Sequence, residues 1–121
     1  MSSDSPDVPK MGAESNGLGS DDLDALMEVL ADHRRRYALY YLRRQDDAVT
    51  IGELARQLTG WDSDMDTSDE KYILAELHHK HLPKMEEVGV VERSGDEIRC
   101  GESDIPFDQY LDLAGEIERP R

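Results

Sequence analysis

Residues 49–100 read VTIGELARQLTG, then WDSDMDTSDEKYILAELHHKHLPKMEEVGVVE, then RSGDEIRC. The local starts and stops in this stretch predict a helix-turn-helix followed by a two-stranded wing. The Thr50 hydroxyl can accept from an orphan backbone N–H, and Glu53, three residues on, can reach back to complete a capping box. Val49 and Leu54 fit a hydrophobic staple across that cap. Ile51, Leu54, Ala55 and Leu58 fall on one helical face, which predicts a short amphipathic helix over 51–59. Gly60 stands where a left-handed C-terminal residue would end it. Thr67 and Glu70 repeat the capping-box spacing and open a second helix. Leu74, Leu77, His78, His81 and Met85 form its inward stripe, while Tyr72, Ala75, Glu76, His79 and Lys80 face outward. Pro83 lacks a backbone donor and clashes with the preceding turn, which predicts a kink or break near Leu82. Gly89 closes the helical region. Val90 to Arg93 and Glu97 to Cys100 then read as two strands joined through Ser94-Gly95.

Residues 81–92, HLPKMEEVGVVE, resemble the end of the recognition helix and the start of the wing in ArsR-like winged-helix regulators. That family's pattern is His-Leu, an apolar residue three on, then Gly and two aliphatics. Upstream, Leu30-Ala31-Asp32-His33-Arg34-Arg35 resembles the family's Leu-Ala-Asp-Pro-x-Arg segment. The likeness covers about residues 23–100 and is closest to a group of small acidic winged-helix proteins from halophilic archaea. It implies a mainly α fold with a small β-hairpin wing, a winged helix-turn-helix with flanking N- and C-terminal helices. It also implies a DNA-binding transcriptional regulator that acts as a homodimer. ArsR-like metal sensors carry a cysteine pair in an early helix, which is missing here. Others place ligands in the last helix, but DQYLDLAGEI holds neither His nor Cys.

The chain has 121 residues, enough for one domain and a tail. Its 28 acids against 14 bases give a net charge of −14, an unusual balance for a phosphate-binding protein. Either the protein does not bind nucleic acid, or it works in a high-salt cytoplasm. At about 1 M salt the Debye length is about 3 Å, so long-range repulsion from DNA is screened and close contacts decide. The spread of acid along the whole chain favours the second reading. It also predicts that folding needs molar salt, because dense acid self-repels at low ionic strength. Circular dichroism on dialysis to about 0.1 M salt should show the cooperative melt disappear, and an unchanged melt would refute this.

Cys100 is the single cysteine, so no intrachain disulfide forms. No apolar run approaches a membrane span, and the N-terminus has no secretory pattern, so a cytoplasmic protein is expected. Nucleophile elbow, phosphate-binding Gly loop and HExxH are all missing, so no enzyme, cofactor or small-molecule ligand is expected.

In chain order, residues 1–20 are rich in Ser, Gly, Pro and Asp and read as a disordered acidic tail, with the folded domain over 21–118. Ser20 is a candidate N-cap, followed by the apolar stripe Leu23, Leu26, Met27 and Leu30. Asp32 is placed to cap the next helix, whose Ala38, Tyr41 and Leu42 should face the core. Arg34, Arg35, Arg36, Arg43 and Arg44 make this the one basic segment. These arginines serve either as a solvated face paired with acid or as a phosphate clamp. Ala48 to Thr50 can add a short strand beside the wing.

Asp62, Asp64 and Asp66 alternate like a calcium loop, but the Gly position is Thr67 and the bidentate Glu position is Ile73. That loop is read as solvated, with Trp61 against the core. His78, His81 and Cys100 invite a metal reading; the plainer one puts both histidines on the core side. Cys100 beside Arg99 raises redox sensing, which requires an exposed, electropositive setting. Pro106 suits a helix start, after which Phe107, Tyr110, Leu111 and Ala114 share a face widened by Leu113 and Ile117.

The candidate contacts to double-stranded DNA are Arg34, Arg35, Lys71, Tyr72, His79 and Lys80, with Arg93 and Arg99 on the wing. Glu76 on the same face can accept from a cytosine amino group or repel phosphate. The family's dimers pair through their first and last helices, which implies an interface of Leu23, Met27, Tyr110, Leu111, Ala114 and Ile117. The alternatives are a last helix that packs only on its own domain, and a protein-interaction module that has lost the DNA face.

Overall fold

The computed structural model describes residues 20–61, 69–102 and 107–118. The expected tail, the Asp62–Thr67 loop, the Thr67 cap and Pro106 lie outside these residues, apart from Ser20 of the tail, which opens the first helix.

Two helices, α1 (Ser20–Leu30) and α2 (His33–Arg43), lead into strand β1 (Val49–Thr50) and helix α3 (Ile51–Trp61). A second helical run follows as α4 (Glu70–Glu76), a π-helical turn (Leu77–His81) and α5 (Leu82–Glu87). Strands β2 (Val91–Ser94) and β3 (Glu97–Cys100) then form a hairpin, and α6 (Asp108–Glu118) closes the fold. The class is the expected one: mainly α, with a small β-hairpin wing. The sheet has three strands in the order β1-β3-β2, because β1 pairs antiparallel with β3 through Val49 opposite Ile98.

The caps follow the sequence closely. The Asp32 carboxylate accepts from the Arg34 N–H at 2.8 Å and the Arg35 N–H at 3.4 Å, satisfying two orphan donors of α2. Thr50 Oγ1 accepts from the Glu53 N–H at 3.1 Å. The reciprocal half of that capping box does not form; the Glu53 carboxylate accepts the Tyr41 hydroxyl instead. Gly89, at φ 81°, ends α5 in a Schellman motif. Its N–H reaches the Glu86 carbonyl at 3.0 Å, and the Val90 N–H reaches Met85 at 3.2 Å. Gly95, at φ 62°, turns the hairpin.

Two boundaries differ from expectation. Gly60 does not terminate α3, which runs on to Trp61, where the indole packs edge-on to Tyr37 and Tyr41 and under the Arg44 guanidinium. Aromatic packing of Trp61 thus carries the helix one residue past the one suited to stop it. Pro83 does not break the second helical run. The Leu82 N–H bonds to the Leu77 carbonyl, a wider five-residue step, and the helix continues to Glu87. A proline ring clashes with the carbonyl four residues back, here that of His79, and the widened turn accommodates it.

Leu39, Leu42, Ile51, Leu54, Ile73, Leu77, Leu82, Met85 and Ile98 fill the centre. Helix α2 is buried on several sides because α1, α3, α6 and β3 all pack on it. On α1 the buried residues are Leu26 and Val29, so Leu23 and Met27 lie outside the core.

Candidate functional site

The outward face of α4 and the π-helical turn carries Lys71, Tyr72, Ala75, His79 and Lys80, all exposed as the periodicity predicts. Glu76 sits among them as a hub. Its Oε1 accepts from Arg34 Nη1 at 2.8 Å, and its Oε2 accepts from the Tyr72 hydroxyl at 2.9 Å. The same Oε1 is 3.6 Å from His81 Nε2. Partial burial works to raise the Glu76 carboxyl, but the Tyr72 hydroxyl and the Arg34, His81 and Lys80 charges hold it below the usual carboxylate range. Two expected DNA contacts, Arg34 and Tyr72, therefore meet on one carboxylate, that of Glu76. The spacing of Tyr72 and Glu76, four apart on a helix, was the available signal.

Arg35 corrects the expectation of a two-arginine clamp. It is only 6% exposed, with Asp32 Oδ2 3.6 Å from its Nη2 and its Nε and Nη1 buried. Helical rotation by one residue takes it from the exposed side of α2 to the core side, so it cannot reach a phosphate.

The wing arginines are also separated. Arg99 stands opposite Glu92 and Arg93 opposite Ile98, so the two guanidiniums leave opposite faces of the hairpin. Arg99 lies 3.5 Å from Glu92 across the strands, and Arg93 lies 3.7 Å from Glu86 of α5.

At the other end, α6 is clamped onto α2. Arg36 donates to both oxygens of Glu118, at 2.9 and 2.7 Å, and the Tyr40 hydroxyl donates to Glu118 Oε1 at 2.7 Å. The Arg36 hydrogen bond holds the Glu118 carboxyl below its ordinary range, while desolvation and that same carboxylate push the Tyr40 phenol up. Arg43 bridges to Asp108 and Asp112. Leu111, expected at a dimer interface, is fully buried against its own domain, which corrects that assignment. The reason is the clamp: it turns the Leu111 side of α6 inward and leaves Tyr110, Leu113 and Ile117 exposed, as Leu23 and Met27 of α1 also are. Between α1 and α6 runs a mostly apolar groove of about 260 Å³ lined by Met27, Leu30, Tyr110, Leu111, Ala114 and Ile117, together with the Arg36–Glu118 pair.

Of the histidines, His81 is buried, His78 half-buried and His79 exposed. Among the described residues, no three His, Cys, Asp or Glu side chains come together to hold a metal. Cys100 is half-buried, and burial pushes its thiol up, with Asp108 adding to the effect and Arg43 opposing it. That setting is opposite to the one a reactive thiolate requires. Among the described residues, no helix is long and apolar enough to cross a membrane.

A family model described as a domain of unknown function (DUF7344) matches residues 27–99, and the chain belongs to that family. No curated protein and no solved structure matches the chain.

Proposed function

We propose that this chain is a cytoplasmic transcriptional regulator that binds double-stranded DNA as a winged-helix homodimer, of the kind its likeness to ArsR-like proteins implies. The observation that carries the reading is the exposed run Lys71, Tyr72, His79 and Lys80 along α4 and the π-helical turn. In this reading the run enters the major groove. Arg34 flanks it, and Arg99 or Arg93, on different faces of the wing, reaches the backbone. The α1–α6 groove, with Leu23, Met27, Tyr110 and Ile117 around it, supports pairing with a second copy.

Lys80→Ala should weaken binding about uniformly across duplexes and lower the salt slope by about 1, because Lys80 is assigned to phosphate. His79→Ala should instead alter the preference among sequences, as expected for a base-edge contact. The measurement is a titration against a selected duplex and a scrambled one at molar salt. Arg35→Glu is not a test of binding, since a buried charge reversal reports on folding.

A second reading, a protein-interaction module, is favoured by one observation: Arg34, Arg93 and Arg99 each lie against a glutamate. A wild type that prefers no duplex in a random pool transfers the assignment to that reading.

A further inference from the structure

Tyr72 is the side chain on the outward face of α4 whose hydrogen-bond direction the structure fixes. It is 56% exposed, which leaves it open to a ligand. Its hydroxyl donates to Glu76 Oε2 at 2.9 Å, one helical turn away. The other oxygen of that carboxylate accepts from Arg34 Nη1 at 2.8 Å. An ionised carboxylate only accepts, so the single phenolic proton lies between Tyr72 and Glu76. Partial burial opposes ionisation of Glu76, but the Tyr72 hydroxyl and the Arg34 charge outweigh it. The same bond raises the Tyr72 phenol above its ordinary range, so the hydroxyl keeps its proton.

We propose that Tyr72 reads DNA as an acceptor: with its proton committed to Glu76, its oxygen receives a hydrogen bond from the exocyclic amino group of adenine or cytosine in the major groove. This rests on the DNA reading and assigns one residue its class of base within it. A phosphate oxygen or a base carbonyl only accepts, so neither can bond to a hydroxyl whose proton is engaged elsewhere. To take that proton, either must displace an ionised carboxylate that is already in place, and hydrogen bonds to a charged acceptor are the strong ones. A phosphate would also approach the negative charge of Glu76. An amino group meets neither obstacle, because it donates to the free lone pair of the phenol and brings partial positive charge towards Glu76. In the major groove adenine presents its N6 amino group and cytosine its N4, where guanine and thymine present O6 and O4. Tyr72 therefore separates adenine and cytosine from guanine and thymine on the strand it faces. Glu76 acts through Tyr72 and is a positioning residue.

The test is selection of bound duplexes from a random pool at molar salt, with the wild type, Tyr72→Phe and Glu76→Gln. In the wild type one position should be enriched in adenine or cytosine. Tyr72→Phe keeps the ring and removes the oxygen, so it should lose that enrichment and hold a scrambled duplex as before. Deleting the amino group of that base in the selected duplex should weaken the wild type about three- to tenfold, the loss of one hydrogen bond, and leave Tyr72→Phe unchanged. In Glu76→Gln the amide oxygen must face Arg34, which only donates, so the amide NH2 turns to Tyr72 and donates to its oxygen. The phenolic proton is then free, and the enrichment at that position should move to guanine or thymine. Loss of a negative charge also tightens binding to every duplex, so the base preference is the readout. Tyr72→Phe weakening all duplexes alike marks a phosphate contact and overturns the proposal. So does Tyr72→Phe with the wild-type preference, or Glu76→Gln that still selects adenine or cytosine there; each leaves the regulator reading standing. A wild type that prefers no duplex removes both together.

Discussion

Replacing Leu111 with alanine should cost about 2–5 kcal/mol of unfolding free energy, the range for emptying a fully buried leucine site. Against a total of about 5–15 kcal/mol for a small domain, that is a large share of what holds the fold together. Leu111 is 0% exposed, and it is the residue through which α6 seals the core over α2. Leu111→Glu should leave no cooperative melt, because it places an unpaired carboxylate where leucine had no water contact. Ile117→Glu, at a position 76% exposed, should leave the melt within about 0.5 kcal/mol of wild type, as surface changes do. Its effect belongs in light scattering, where a homodimer built on the α1–α6 groove becomes a monomer. Denaturant melts read the first pair and scattering reads the third. An Ile117→Glu protein with unchanged mass at high concentration would remove α6 from the dimer interface, and a wild type already monomeric would remove the dimer.

Gly101→Ala should be the most damaging single methyl addition in the wing. A Cβ at that position would lie 2.5 Å from the Gly89 carbonyl oxygen and 3.2 Å from the carbonyl carbons of Val90 and Val91. These are backbone atoms, and they cannot swing aside as a flexible side chain would. Both partners are also fixed: Gly89 sits in the Schellman turn, and the Gly101 N–H donates to the Val90 carbonyl at 2.8 Å. Relief requires pulling the end of β3 away from the end of α5 and losing that bond. Overpacking costs about 1–3 kcal/mol where neighbours can move, and here the upper end or beyond is expected. Gly60→Ala is the control, since nothing lies within 4 Å of its added methyl and alanine favours a helix interior. Thermal melts of the two variants should move in opposite directions. A Gly101→Ala melt equal to wild type would show that the α5–β3 junction yields more easily than its contacts indicate.

The sequence by itself determined the features that are settled within one turn of the chain. Asp32 and Thr50 cap helices because a short oxygen-bearing side chain lies two or three residues before unpaired N–H groups. Gly89 and Gly95 turn the backbone because their φ values suit a residue without a Cβ. The outward phase of Tyr72, Glu76, His79 and Lys80 was equally legible, since helical periodicity alone sets it over so short a span. Even Pro83 announced a local irregularity, although whether the chain breaks or widens into a π-helical turn depends on Leu77, His81, Leu82 and Met85 being held in the core.

Tertiary structure decided the partners. Arg34 and Arg35 are neighbours of identical chemistry, but Arg34 meets Glu76, 42 residues on, while Arg35 is buried beside Asp32. Arg93 and Arg99 looked like one basic wing until the hairpin register put them on opposite faces. Leu111 and Ile117 looked like one apolar face until the Arg36–Glu118 clamp set the rotation of α6. In each case the deciding contact joins residues tens of positions apart in the chain or across a strand register. Periodicity gives the direction a side chain leaves its own element, but the approach of a distant element determines what it meets there.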